Sequence, residues 1–300
     1  MAIWSGLMTE IRYGLHRVQE WLSFAGWRDY PLFATKHGAG RAALLGVGLG
    51  GYLGFHACGF IGLSALQLWM NIGGGGGGGG GGIGSIMSGA VSNPRIFMAW
   101  QWCGWATSMS IFHLLEYFTT AIFNPTAASS DSFLINQSAS YTMAVVTQCI
   151  EFGIRFMFCP HWNLPRPVIF AGLVMTAMAQ TIRAAAMITA GQSFNHIIQT
   201  YKKENHVLVK HGIYSVFRHP SYVGFYYWSI GTQLLLGNLV HTVAFSIVSW
   251  SFFYRRIPFE EESLCVLFPD EYPGYVAKTW TGIPFLRSQI TLKPSNVKPE

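Results

Sequence analysis

The run "YVGFYYWSIGTQLLLGNLVHTVAFSIVSWSFFY", residues 222–254, holds 33 positions without a formally charged side chain. About 20 apolar residues are enough for a helix to cross a bilayer core. The run is too long for one untilted crossing, and the turn pair Gly237-Asn238 lies near its middle. It therefore reads as a helical hairpin, two helices of which the first is short. Charge returns at both ends, with Lys202, Lys203, Lys210 and Arg218 before the run and Arg255 and Arg256 after it. Lys and Arg gather on the cytosolic face of membrane proteins, so both ends of the hairpin are expected there.

The same pattern extends upstream. Residues 42–70, 96–123, 141–159 and 168–190 are further candidate spans. The first is one tilted helix or two glycine-bent pieces. Hydrophobic residues make up 51% of the chain and charged ones 11%, and these spans lack the polar stripe that a soluble helix shows. The predicted fold class is an all-α, polytopic transmembrane protein of about 6–8 helices, with a cytosolic cofactor site formed by the C-terminal third. Three regions follow: residues 1–95, with a polyglycine loop at 73–82; central helices at 96–190; and a catalytic region at 191–300. Counting back from the hairpin puts 160–167 on the far side and 124–140 on the cytosolic side. Residues 7–25 read as an amphipathic interfacial helix.

Ten of the 19 Lys and Arg residues follow Thr200. No basic stripe interleaved with aromatics appears among them, so they mark a membrane-facing cytosolic portion and not a nucleic-acid surface. The five cysteines, Cys58, Cys103, Cys149, Cys159 and Cys265, lack CxxC spacing and imply neither a metal site nor a disulfide framework. The ten glycines are no phosphate loop, because no Lys-Ser/Thr pair follows them.

Two polar segments bracket the hairpin, "GQSFNHIIQTYKKENHVLVKHGIYSVFRHP" before it and "RRIPFEEESLCVLFPDEYPGYVAKTWTGIPF" after it. They meet at its base, where chemistry is expected. Pro220 suits the first turn of a helix, and Arg218 serves as a border marker. Those two roles leave His219, Ser221 and Tyr222 unexplained, and a helix start attracts anions. Arg256 and Glu260 are spaced i,i+4, as a surface ion pair or as a site. Glu151 and Arg155, also i,i+4, satisfy each other. Arg183 stands in an apolar span with no such partner, where a charge is costly unless paired or hydrated, which makes it a candidate anion holder. His113 and Glu116 form a candidate buried pair, and His56 reads as a satisfied core histidine.

In this order "IFHLLEY" (111–117), "SFLINQSASYT" (132–142), "RAAAMITAGQSFNHIIQ" (183–199), "HVLVKHGIYSVFRHPSYVGFYYWSIGTQ" (206–233), "RRIPFEEESL" (255–264) and "YVAKTWTGIPF" (275–285) resemble the isoprenylcysteine carboxyl methyltransferase family. The resemblance covers residues 113–286. "RHPSYVG" alone also resembles phospholipid N-methyltransferases and sterol reductases. The combination implies a multi-pass enzyme of the endoplasmic reticulum membrane that methylates the α-carboxylate of a C-terminal prenylated cysteine with S-adenosylmethionine. It further implies cofactor contacts at Gln199, His206, Val207, Leu208, Val209, Tyr214, His219, Pro220, Ser221, Tyr222 and Glu260. Arg256 and Arg183 are the implied catalytic residues, with Arg256 holding the substrate carboxylate. The partners implied are the bilayer and farnesyl or geranylgeranyl cysteine, without metal or nucleic acid. A phospholipid N-methyltransferase, an NADPH-dependent reductase of sterol type, or a lipid transporter are the alternatives.

Overall fold

The computed structural model describes residues 39–73, 93–135, 137–198 and 207–286. Gln199, His206, the interfacial helix expected at 7–25 and the polyglycine loop beyond Gly73 lie outside the described residues. Among those described the chain is helical and contains no strand: α1 Ala39–Gly73, α2 Pro94–Phe123, α3 Ala139–Phe158, α4 Arg166–Ala190, α5 Pro220–Leu236, α6 Leu239–Leu267 and the short α7 Tyr272–Val276. α1 is continuous, so its glycines do not bend it into two pieces.

Local sequence sets the boundaries. Asn93 caps α2 by accepting from the Arg95 N–H at 3.0 Å, with Pro94 in the first turn. Ser138 caps α3 in the same way through the Tyr141 N–H. Gly237 closes α5 with φ 75°, a left-handed conformation that glycine adopts without steric penalty. α6 starts two residues later, so the hairpin has the expected turn. Pro258 lies inside α6 without ending it.

α4 and α5 approach closely because small residues line their seam. A Cβ added at Gly224 would fall 2.6 Å from the Arg183 Cβ, and one at Gly231 would fall 2.7 Å from the Thr176 Oγ1. That contact holds Arg183 against the start of α5.

Only Arg41–Leu66 and Arg166–Ser193, among the described residues, are long and apolar enough to pass as spans by composition. The other long helices carry Gln, His, Glu and Arg because they line a polar site and one another.

The loops fall into two groups. At one end Arg155 gathers the loop after α3 and the hairpin turn. Its Nε donates to the Trp162 carbonyl at 3.0 Å, its Nη1 to the Leu236 carbonyl at 3.2 Å and Asn238 Oδ1 at 3.0 Å, and its Nη2 to Asn163 Oδ1 at 2.9 Å. At the other end Asn124, just after α2, donates to the Phe194 carbonyl at 2.9 Å.

The expected Glu151–Arg155 pair does not form. Glu151 accepts from the Val240 and His241 N–H groups at 3.1 and 3.0 Å and pairs with His241 Nδ1. The first turn of α6 offers free N–H donors and a positive dipole end, which outcompete a neighbour on the same helix. His56 is also corrected, since its buried Nδ1 has no hydrogen-bond partner.

Candidate active site

α5 begins at an anchored corner. Arg218, buried, donates from Nε to Glu261 Oε1 at 2.8 Å and from Nη1 to the Thr279 and Val276 carbonyls. His219 Nε2 lies 3.4 Å from the same Glu261 oxygen. The Arg218 N–H donates to the Trp280 carbonyl at 2.8 Å, joining the corner to the segment after α7. Arg218 is thus a structural arginine and not a border marker, and its partner Glu261 is fully buried. Pro220 occupies the first helical position, as expected. The Tyr222 and Val223 N–H groups already donate to the His219 carbonyl, so the helix start offers an anion fewer donors than expected.

Tyr222 stands between the two residues spaced i,i+4 on α6. Its hydroxyl donates to Glu260 Oε2 at 2.5 Å and accepts from Arg256 Nε at 2.8 Å. Arg256 Nη2 donates to the His196 carbonyl at 2.9 Å. Arg256 and Glu260 therefore meet through a phenol on another helix.

His196 leads to a second, buried cluster. Its Nε2 is 2.8 Å from Glu116 Oε2, and Glu116 receives Arg183 through Nε and Nη2 in a two-pronged pair. Arg183 Nη1 donates to Ser221 Oγ at 3.0 Å and to the Ser221 carbonyl at 3.2 Å. The Arg183 and Glu116 side chains are 7% and 1% exposed. The arginine without a sequence-local partner thus has one 67 residues away. Its donors point to protein groups and not into open space. His113 does not pair with Glu116: its Nδ1 lies 2.7 Å from the Phe133 carbonyl and its Nε2 3.3 Å from the Tyr141 hydroxyl.

Both clusters border one cavity of about 750 Å³. That is ample for a cofactor-sized ligand and a second molecule, since such sites span about 300–1,000 Å³. Its first part is walled by Val207, Leu208, Val209, Tyr214, His219 and Glu260, with Phe268, Tyr272 and Tyr275. Ser221, Tyr222, Arg183 and Arg256 occupy its waist. From there an apolar channel runs between α3, α5 and α6 past Met143, Phe225, Trp228 and Phe245. It is bordered by Val248 and Phe252, which are 65% and 51% exposed on the outer face of α6. The cavity brings together every candidate site residue among those described except Pro220, which is buried behind the wall.

Tyr272, which the sequence reading passed over, is 1% exposed, and its hydroxyl has no partner among the described residues. Burial, and then the nearby Glu261 carboxylate, push its phenol well above the ordinary range. Burial, followed by Glu260, does the same to Tyr214. Burial also pushes Tyr275 up to about 12. All three remain neutral hydrogen-bond donors. An orphaned buried hydroxyl facing a cavity invites a ligand acceptor, because leaving it unpaired costs about 1–3 kcal/mol.

The family model for the isoprenylcysteine carboxyl methyltransferase family matches residues 172–266, which take in most of α4, the helical hairpin and Glu260. Proteins named protein-S-isoprenylcysteine O-methyltransferase match over much of the chain. The Xenopus laevis protein is 45% identical over 196 residues, covering 65% of this chain and 68% of its own. The Homo sapiens protein is 43% identical over 190 residues, covering 63% and 67%. The Saccharomyces cerevisiae protein is 42% identical over 185 residues, covering 60% and 77%. A solved structure of a eukaryotic intramembrane Ras methyltransferase, isoprenylcysteine carboxyl methyltransferase, superposes with a TM-score of 0.65 at 32% identity, over 96% of this chain and 88% of that one. On these matches the chain belongs to the isoprenylcysteine carboxyl methyltransferase family.

Proposed function

We propose that the chain methylates the α-carboxylate of C-terminal prenylated cysteines from S-adenosylmethionine, in the plane where the polar chamber meets the apolar channel. The observation that carries this reading is the Arg256–Tyr222–Glu260 line at the waist of the cavity. It sets a cation for an acceptor carboxylate beside an anion for a polar donor molecule.

The chamber suits S-adenosylmethionine in its chemistry. Glu260 accepts hydrogen bonds from hydroxyl or amino groups, Tyr272 supplies an unmatched donor, and Val207, Leu208 and Val209 give an apolar strip for a flat ring. Gln199 and His206 complete the set expected from the resemblance. When bound, S-adenosylmethionine presents a methyl group on a sulfonium sulfur. The protein's own part is to bind and align. An α-carboxyl group, with an ordinary pKa of about 3.3–3.7, is ionised at neutral pH, so its oxygen attacks without a general base. Tyr222 and the His196 carbonyl fix Arg256 Nε and Nη2, and donors on Nη1 remain for that carboxylate. Alignment of this kind is a large source of rate in transfers that need no proton movement.

Arg183, with Glu116 and Ser221, braces the waist and does not grip substrate. The exposed border at Val248 and Phe252 lets a prenyl chain enter sideways from lipid. The basic residues that flank the hairpin support a cytosolic chamber, and the family resemblance supports the endoplasmic reticulum membrane.

A reductase using NADPH wants a free cation for the 2′-phosphate. Arg218, a cation on the chamber wall, already gives its Nε to Glu261 and its Nη1 to backbone carbonyls. The test compares Arg256→Ala with Glu260→Ala for turnover and S-adenosylhomocysteine binding. Arg256→Ala is expected to abolish turnover with cofactor binding largely kept, and Glu260→Ala to weaken cofactor binding itself. Wild-type turnover in both variants would overturn the reading.

A further inference from the structure

The apolar channel ends on a built polar floor, at the end of the helices opposite the chamber. Its last lining residues are Thr232 on α5, Thr147 and Gln148 on α3, and His241 in the first turn of α6. From Tyr222 to Thr232 is ten residues along α5, about 15 Å at ~1.5 Å per residue. The wall between waist and floor is mostly apolar, with Met143, Ala144, Phe225, Trp228, Phe245 and Val248, and its two serines, Ser229 and Ser249, pair with each other at 3.2 Å.

The floor's polar atoms are matched to each other. His241 Nε2 lies 3.0 Å from Thr147 Oγ1, and its Nδ1 pairs with Glu151. Glu151 in turn accepts the first N–H groups of α6. Gln148 pairs with Gln233, and its carbonyl accepts from Asn238 Nδ2 at 3.0 Å. Thr232 on the remaining side gives its hydroxyl to the Ser229 carbonyl at 2.8 Å and accepts from Gln233 Nε2 at 3.2 Å.

We propose that this Thr147–His241–Glu151 bridge, with Gln148, is the end stop of the prenyl channel and sets the length of isoprenoid the enzyme prefers. The inference rests on the methyltransferase reading above. A hydrocarbon tip cannot push between these groups, because doing so leaves a His–Glu pair and two amides unmatched in an apolar setting. The tip must stop at the floor. Chain length is therefore sensed at His241, far from the reacting carboxylate. The same bridge staples α3 to the start of α6, and a purely structural staple would affect every substrate alike.

The test uses the full chain and three acceptors: geranyl-, farnesyl- and geranylgeranyl-cysteine derivatives. His241→Ala removes the stop, and Ala244→Phe builds a stop about one turn nearer the waist. kcat/KM for geranylgeranyl relative to farnesyl is expected to rise about tenfold in His241→Ala, on the scale by which apolar pockets sense added carbons. In Ala244→Phe the ratio for the two longer chains relative to geranyl is expected to fall by about tenfold or more. If His241→Ala does not fold, the Ala244→Phe ratio decides the matter. Equal factors for all three acceptors overturn the end stop while leaving the methyltransferase reading intact. A wild-type chain that methylates none of the three overturns that reading, and the end stop with it.

Discussion

Replacing Tyr222 with Phe tests the waist of the site through one oxygen atom. The ring would stay, stacked on His219 with centroids 5.5 Å apart and against Phe253 at 4.9 Å. What disappears is the hydroxyl that donates to Glu260 at 2.5 Å and accepts from Arg256 at 2.8 Å. Hydrogen bonds to charged groups contribute about 1.5–3 kcal/mol each. The Glu260 side chain is 24% exposed, so water replaces part of what is lost. A net loss of ~1–2 kcal/mol in holding Arg256 corresponds to a fall of about 5- to 30-fold in turnover. The assay is methyl incorporation into a farnesylated cysteine derivative at saturating donor, beside S-adenosylhomocysteine affinity and the thermal midpoint in detergent. Turnover is expected to fall by that factor with the midpoint nearly unchanged. Turnover within twofold of wild type would refute the idea that the phenol orients the arginine.

Glu116→Gln leaves Arg183 buried without a counter-charge and is expected to lose about 3–5 kcal/mol of stability; thermal unfolding in detergent measures it, and an unchanged midpoint refutes the network. Tyr272→Phe removes a hydroxyl that has no partner among the described residues. The ligand-free protein should be as stable as wild type while S-adenosylhomocysteine affinity falls about 5- to 10-fold; unchanged affinity by calorimetry would place the ligand elsewhere. Tyr275 holds its proton more tightly in the fold, at about 12 against an ordinary 10.0. The unfolded chain then releases that proton first, so its stabilisation is complete below the ordinary value and is lost as pH rises from there through about 12. The thermal midpoint should fall across that window and fall less in Tyr275→Phe; a flat profile refutes the assignment.

The hairpin was legible in the sequence because its signals are local. An uncharged run of membrane length carries a Gly-Asn pair where the chain must reverse, and Pro220 marks where α5 starts. The candidate residues around the hairpin follow from motif order, and one cavity gathers those that are described apart from Pro220. Electrostatic partners were not legible. Sequence spacing proposes pairs at i,i+4, but in a helical membrane protein the strongest partner for a buried charge lies on a neighbouring helix. Arg183 finds Glu116, Arg218 finds Glu261, and Glu151 leaves Arg155 for the start of α6. Arg155 itself spends its donors on loop carbonyls and amides that carry no sequence signature. Tyr272 was missed for a related reason. A tyrosine in "FPDEYPGYV" looks like surface aromatic until the fold buries it and leaves its hydroxyl alone.

The most direct test of the account is to incubate the purified chain with methyl-labelled S-adenosylmethionine and a farnesylated cysteine derivative, and to determine which bond carries the label. The account predicts label in a base-labile methyl ester on the α-carboxyl group, formed by wild type and absent from Arg256→Ala. Label on an amine or a lipid headgroup, or ester formation that survives Arg256→Ala, would contradict it.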